Sequence, residues 1–251
     1  MHLLLYGPGR LGGAIAAAAT DVGWHVTAIG RPADGFRAAA PTADVVVDAS
    51  PGPAVAPNVA HALAGGNRAF VLAATGWDAD RLRVQAMLAE HNGAAVVSTN
   101  LSLGAALFLR LAETAAAWYA RAGAYEPSIV EWHRRGKADR PSGTARALAR
   151  RIVAADPRWT APDEAGDPHH ARPSLEVAGI RAGTAPGTHL VTFDGPGESV
   201  ELRLTARDRT AYADGALAAA RWLTATARVP GIHPFDAVVD DLLGAAVAVP
   251  A

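Results

Sequence analysis

The stretch His2-Leu3-Leu4-Leu5-Tyr6-Gly7-Pro8-Gly9-Arg10-Leu11-Gly12-Gly13 decides how this chain begins to fold. Leu3 to Tyr6 reads as a short buried strand, Gly7-Pro8-Gly9 as a turn, and Leu11 to Val22 as an alanine-rich helix. Gly7, Gly9 and Gly12 form a GxGxxG pattern in the context that gives it meaning, directly after a strand and opening a helix. Glycines there permit a tight turn, close approach of a pyrophosphate and close helix packing. The first amides of the helix, from Arg10 and Leu11 onward, offer their N–H groups to phosphate oxygens. A dinucleotide is the expected ligand of this turn.

Outward from the turn, strand-like and helical stretches alternate. Trp24 to Ile29 reads as a second strand, Asp44 to Asp48 as a third, Arg68 to Ala73 as a fourth and Ala94 to Val97 as a fifth. Val55 to Leu63 is compatible with a helix if Pro57 lies in its first turn, and Asp78 to Asn92 has helix composition. This alternation predicts a parallel sheet covered on both faces. The loops Gly7–Gly12, Gly30–Arg31, Ala49–Pro51, Ala74–Trp77 and Ser98–Ser102 would then gather at the carboxyl edge, where ligands bind in open α/β sheets. The second strand ends at Ile29-Gly30-Arg31, without the Asp or Glu that accepts from ribose hydroxyls. Arg31 is suited to a 2′-phosphate, so NADPH is expected over NADH.

After about residue 104 the pattern changes to α+β with antiparallel pairing. Ala105 to Ala120 reads as a long helix, Pro127 to Trp132 as a strand and Gly143 to Val153 as a helix. Leu175 to Ile180, His189 to Phe193 and Ser199 to Ala206 read as strands, the last two joined by a hairpin loop over 193–198. Asp156 to Pro173 reads as a loop containing a solvated His169-His170 pair. A final helix, Ala211 to Leu223, precedes a Gly/Pro-bounded tail.

Composition narrows the function classes. The 251 residues carry a formal net charge of −1, which gives no support to nucleic-acid or anionic-membrane binding. Cysteine is absent, excluding disulfides, thiolate catalysis and thiolate metal sites. The histidines show no HExxH spacing, so no metal is expected. The N-terminus lacks a basic region and cleavage pattern, and the Ala-rich stretches are too short to span a bilayer. A cytoplasmic protein is therefore expected.

In a chain only 19% charged, the run Glu131 to Thr144, EWHRRGKADRPSGT, concentrates anion-handling chemistry. His133 titrates near neutrality and can give or take a proton, while Lys137, Arg134 and Arg135 can neutralise a carboxylate. Pro141-Ser142-Gly143-Thr144 looks like a helix start, where Ser142 or Thr144 can cap and backbone N–H groups can cradle an anion. Asp139 and Glu131 read as structural, each positioning a basic neighbour or closing a turn.

This run resembles the signature of the 4-hydroxy-tetrahydrodipicolinate reductase (dihydrodipicolinate reductase) family, E-x-H-H-R-x-K-x-D-x-P-S-G-T-A. Glu131, His133, Arg135, Lys137, Asp139 and Pro141 through Ala145 are kept. Val46–Ser50, Ala74–Trp77, Ser98–Gly104, Gly187–His189, Ala206–Arg209, Ala213–Ala216 and Arg221–Leu223 agree in order and spacing, so the likeness runs over essentially the whole chain. It departs at Arg134, where the family has a second histidine, in the glycine turn, one residue shorter, at Ala73-Ala74, and at Leu204, where a histidine is common.

The resemblance implies a Rossmann-type nucleotide-binding domain (1–104), a substrate and oligomerisation domain on a mixed, largely antiparallel sheet (105–214), and a C-terminal segment (215–251) returning to the first. It implies a homotetramer and NAD(P)H-dependent reduction of a small cyclic imine dicarboxylate in lysine and diaminopimelate biosynthesis. His133 would be the proton donor and Lys137 would bind the substrate and stabilise charge. Arg134, Ser142, Gly143 and Thr144 would complete the substrate site. Thr75 and Gly76, with Asn100 to Ser102, would lie near the nicotinamide. Ser50, Ala74, Thr99 and Leu101, in the same carboxyl-edge loops, join Gly7, Gly9, Arg10, Leu11, Gly12 and Arg31 as expected cofactor contacts. Two alternatives stay open: a related oxidoreductase on another dicarboxylate imine, and a catalytically weak nucleotide-binding regulatory protein.

Overall fold

The structure, a computed structural model, describes residues 1–30, 35–36, 38–160 and 173–244. In chain order its elements are β1 (His2–Tyr6), α1 (Arg10–Asp21), β2 (His25–Ile29), β3 (Val45–Asp48), α2 (Val55–Ala64), β4 (Ala69–Leu72), α3 (Arg81–Glu90) and β5 (Ala94–Val97). There follow α4 (Leu103–Ala122), β6 (Glu126–His133), α5 (Gly143–Ala155), β7 (Glu176–Arg181), β8 (Thr188–Asp194), β9 (Ser199–Thr205), α6 (Thr210–Ala225), β10 (Gly231–Pro234) and α7 (Phe235–Leu243). The chain forms two units, residues 1–103 with 209–251, and residues 104–208.

The first unit is a six-stranded sheet in the order β10-β5-β4-β3-β1-β2, every pairing parallel. Leu3, Leu4, Leu5, Val45, Val47, Phe70, Val71 and Leu72 are fully buried, because helices cover both faces and leave no solvated side for alternation. Leu4, Tyr6, Val46, Phe70 and Leu72 pack with Val55, Val59 and Leu63 of α2 and Val84 and Leu88 of α3. Across the sheet, α6 lies against α1 and β4. Its Ala213, Ala216, Ala219 and Ala220 are wholly buried, and small side chains let the helix come close.

The Gly/Pro-bounded tail carries β10, which pairs with β5 at the sheet edge, and α7. Gly231, Gly244 and Pro234 punctuate these elements at their ends. Two readings are corrected in this unit. The helix expected over 78–92 divides into a 3-10 turn, Asp78–Asp80, and α3. The expected boundary between residues 214 and 215 falls inside α6, since the whole helix from Thr210 packs in the first unit.

The second unit holds a four-stranded sheet in the order β7-β6-β8-β9, with β6–β7 parallel and the other pairs antiparallel. Its inner face, with Ile129, Val191 and Phe193 buried, packs on Phe108, Ala112 and Ala116 of α4 and Leu148, Ala149 and Ile152 of α5. Burial alternates strictly along β6, so Glu131 and His133 point to the same covered side as Ile129. The β8–β9 hairpin closes with Gly195 N–H donating to the Glu198 carbonyl at 2.9 Å. Of the expected loop over 156–173, Thr160 pairs with Ser174 by an isolated bridge, and His169 and His170 lie outside the described residues. Among the described residues no helix is long and apolar enough to cross a membrane.

Candidate active site

The glycine turn after β1 fits a dinucleotide. Gly7 has φ of 77°, and a Cβ there would lie 2.6 Å from the Ser50 nitrogen. A Cβ on Gly12 would stand 2.2 Å from the Gly7 carbonyl oxygen, so α1 starts tight against its own turn. Gly9, the N-cap of α1, has no side chain with which to cap the first-turn amides of Arg10, Leu11 and Gly12. A phosphate is the natural partner for such amides.

The neighbouring loops are held by their own polar atoms. The Ser50 N–H donates to Asp48 Oδ1 at 2.9 Å, and Asn58 Nδ2 donates to Asp48 Oδ2 and to Ser50 Oγ at 3.0 and 3.1 Å. Burial pushes the Asp48 carboxyl up, and these bonds only partly offset it. Trp77 Nε1 donates to the Ala74 carbonyl at 3.0 Å, bracing a loop that leaves Thr75 and Gly76 exposed. Thr99 is exposed as well. Asn100 Oδ1 accepts from the Ser102 N–H at 3.0 Å, and Leu101 is buried, its carbonyl against Gly215 of α6. Leu101 therefore packs the unit, leaving only its backbone for any ligand. Arg31 lies outside the described residues.

The second cluster grows from the end of β6. His133 is the last residue of that strand rather than part of a following loop, and the turn after it is pinned by Ala182 N–H on the His133 carbonyl and Arg135 N–H on the Gly183 carbonyl. Two residues back, Glu131 is completely buried. Its Oε1 accepts from the Ser142 N–H at 2.9 Å and from Arg181 Nη2 at 2.7 Å. Its Oε2 stands 3.3 Å from His133 Nδ1 and 3.6 Å from His189 Nε2. Burial alone would raise the Glu131 carboxyl, but the bonds from Ser142 and Arg181 outweigh it and hold the group ionised.

Both imidazoles are shifted toward the neutral form. Burial lowers His133 below its ordinary value, Lys137 and Arg181 add to the shift, and Glu131 and Asp139 oppose it. His189 is lowered to about 4, again chiefly by burial, with His133 next. Sequence spacing gave no sign of this pair of histidines. Arg181 and His189 were missed as site residues because only the pairing of β7 and β8 with β6 brings them to Glu131.

Two expected substrate contacts are used differently. Ser142 is the N-cap of α5, its Oγ accepting from the Ala145 N–H at 3.2 Å and lying 3.1 Å from His189 Nε2. Its hydroxyl and its amide are thus both committed inside the protein, and the residue is buried. Lys137 Nζ lies 2.7 Å from Asp139 Oδ1 and 3.0 Å from Oδ2. Hydrogen bonding from Lys137 holds the Asp139 carboxyl low, and the Gly143 amide contributes. Asp139 therefore already sits where the sequence suggested an anion cradle of Lys137 and the α5 N-terminus. Gly143 is exposed, Thr144 half-buried, and Arg134 exposed on the turn.

Glu131, His133 and His189 present ligand-type atoms within 4.8 Å of one another. Arg181 against the same carboxylate puts positive charge beside any cation there, and Ser142 engages His189. These neighbours suit proton exchange better than metal ligation.

A parallel sheet with an uncapped glycine turn, and a separate unit carrying buried histidines beside a lysine, define a dinucleotide-dependent oxidoreductase. Residues 104–238 match the family described as "Dihydrodipicolinate reductase, C-terminus". Proteins named 4-hydroxy-tetrahydrodipicolinate reductase are similar over most of the chain. That of Methanococcoides burtonii is 31% identical over 204 residues, covering 80% of this chain and 73% of its own. That of Archaeoglobus fulgidus is 36% identical over 203 residues, 77% and 75%. The solved dipicolinate-bound dihydrodipicolinate reductase from Paenisporosarcina sp. TG-14 shares the fold, with a TM-score of 0.70 at 19% identity, covering 93% of this chain and 97% of that one. The chain belongs to the dihydrodipicolinate reductase family.

Proposed function

We propose that this protein reduces 4-hydroxy-tetrahydrodipicolinate to tetrahydrodipicolinate in lysine and diaminopimelate biosynthesis, with NADPH as the preferred reductant. The observation that carries this reading is the convergence of His133, Lys137 and the start of α5 at one end of the second sheet, in a chain of this family. The amides of Arg10, Leu11 and Gly12, with Gly7 and Gly9, would hold the pyrophosphate. Thr75, Gly76, Thr99 and Asn100 would border the nicotinamide. A dinucleotide held there would supply the hydride that ring C4 receives after the 4-hydroxyl has left as water.

The chain's own residues do the rest. Lys137 and the Gly143 amide would meet one substrate carboxylate in competition with Asp139, with the half-buried Thr144 beside them at the α5 N-terminus. Exposed Arg134 adds charge to the rim. The electron pair that hydride addition leaves at C3 takes a proton from His133, so the product gains one hydride and one proton. Val130, Trp132 and Leu190, on the second sheet's other face, are only partly buried in this chain, which supports a homotetramer built on that face. A cytoplasmic location accords with this biosynthetic role.

The test is an assay in which substrate made by the preceding synthase is offered with NADPH or NADH and absorbance of the reduced cofactor is followed. Oxidation dependent on the protein, faster with NADPH, is expected. Arg31→Ala should erase the difference. Tight NADPH binding without turnover would overturn the enzymatic reading.

A further inference from the structure

We propose that Glu131 is a positioning residue that fixes the tautomer of His133, so that His133 becomes an acid only after the dicarboxylate ligand brings a second proton onto its ring. The inference rests on the function proposed above for the identity of the ligand, and on geometry for the rest.

Ser142 Oγ accepts from the Ala145 N–H and lies 3.1 Å from His189 Nε2, and its hydroxyl also faces Glu131. If Ser142 donates to that nitrogen, His189 Nε2 carries a lone pair and has no proton for Glu131. That tautomer agrees with burial keeping His189 neutral. Glu131 Oε1 is saturated by Ser142 and Arg181, which also locks the plane of the carboxylate. Among the described residues Oε2 has no hydrogen-bond partner, and neither has His133 Nδ1, 3.3 Å away. A buried ionised oxygen needs a donor; His133 Nδ1, at 3.3 Å, lies nearer to it than His189 Nε2, at 3.6 Å, and a small rotation of the ring would bring an Nδ1–H onto it.

A neutral His133 with its proton on Nδ1 has a lone pair on Nε2. It is then a base and has no proton for a substrate carbon. The Nε2 edge faces Gly187, where a Cβ would come within 3.3 Å, so glycine keeps that edge uncovered. To act as an acid, Nε2 must gain a proton. Burial, Arg181 from β7 and Lys137 from the following turn oppose that gain, while Glu131 on the same strand and Asp139 favour it. His189 on β8 is neutral and Ser142 uncharged. A ligand with two carboxylates changes the balance by adding negative charge beside Lys137, and binding draws one proton from solvent.

Two measurements test this. In the ligand-free protein near neutral pH, nitrogen-15 NMR of the histidine rings, with His133 identified by its loss in His133→Asn, should show His133 protonated on Nδ1. An Nε2-protonated ring overturns the proposal, and this result needs no change at Glu131. Calorimetry of dipicolinate binding in buffers of different ionisation enthalpy, at about pH 7.5, should show uptake of roughly one proton. His133→Asn should abolish that uptake. Glu131→Gln should still bind dipicolinate but take up much less, and the alkaline limb of its kcat profile should move down by about one pH unit. Binding with no uptake by the wild type, or with equal uptake by Glu131→Gln, sinks the inference while leaving the reductase reading intact. Absence of both binding and turnover sinks the reductase reading, and the NMR result still decides the tautomer.

Discussion

His133 and Lys137 lie four residues apart in sequence yet do different work in the fold. His133 sits 9% exposed between Glu131 and His189, whereas Lys137 stays near solvent in a pair with Asp139. Replacing His133 by alanine removes the proposed proton donor and should lower kcat by roughly two to four orders of magnitude, with unfolding measured alongside to show an intact fold. Near-wild-type turnover across pH would remove His133 from that role. Lys137→Ala should lower kcat and raise KM together if the ammonium meets the substrate in the transition state. A change confined to the salt dependence of KM would make it a steering charge. Both residues were picked out in the sequence as candidates for these roles. Arg181 and His189, which meet Glu131 and His133, were not, being 50 and 58 residues beyond Glu131 and marked by no local pattern.

Two helices set the site by how they begin and how closely they pack. α5 starts at Ser142, whose hydroxyl caps the Ala145 amide and reaches His189. Ser142→Ala should cost about 1–2 kcal/mol in denaturant unfolding, and should also disturb His189. Proline, serine, glycine and threonine in succession made this helix start readable, but the inward turn of the serine depends on Glu131 receiving its amide. α6 is fixed by an absence. A Cβ on Gly215 would stand 1.6 Å from the Leu101 carbonyl oxygen, so Gly215→Ala must push the helix off the loop after β5. We expect a loss of roughly 1–3 kcal/mol, seen as a lowered Tm, and an unchanged Tm would contradict this packing. Helix periodicity located α6 well, yet its membership in the nucleotide unit lies in small residues facing β4 and α1.

Across the molecule, buried titratable groups make stability depend on pH. The folded pKa of His189 is about 4, below its ordinary value near 6.5. The unfolded chain therefore takes up the proton first as pH falls. The stabilisation is complete above about pH 6.5 and is lost progressively toward about pH 4, on the order of 3 kcal/mol. Glu131, Asp139 and Asp156, all held low, add losses as pH falls further, while Asp48, held high, works against them. Denaturant midpoints should fall as pH is lowered from neutrality to about 4, and His189→Gln should flatten that slope. A flat profile in the wild type would show that His189 is not buried as a neutral ring.

By itself the sequence determined the alternating strands and helices of the first unit, the glycine turn, and the proton donor and lysine candidates. Each depends on residues close in the chain: apolar runs, a turn no Cβ can enter, and a run of charged side chains between a strand and a helix. Tertiary structure decided the tail, because β10 becomes a strand only where β5 offers an edge to pair with. It also decided what lies around His133. Glu131, Arg181, Ser142 and His189 come from three strands and a helix cap, and meet because sheet register aligns Glu131 with His189 and His133 with Arg181. Long-range pairing of that kind leaves no trace in local spacing, and it is what gathers buried titratable side chains around one end of a basic run.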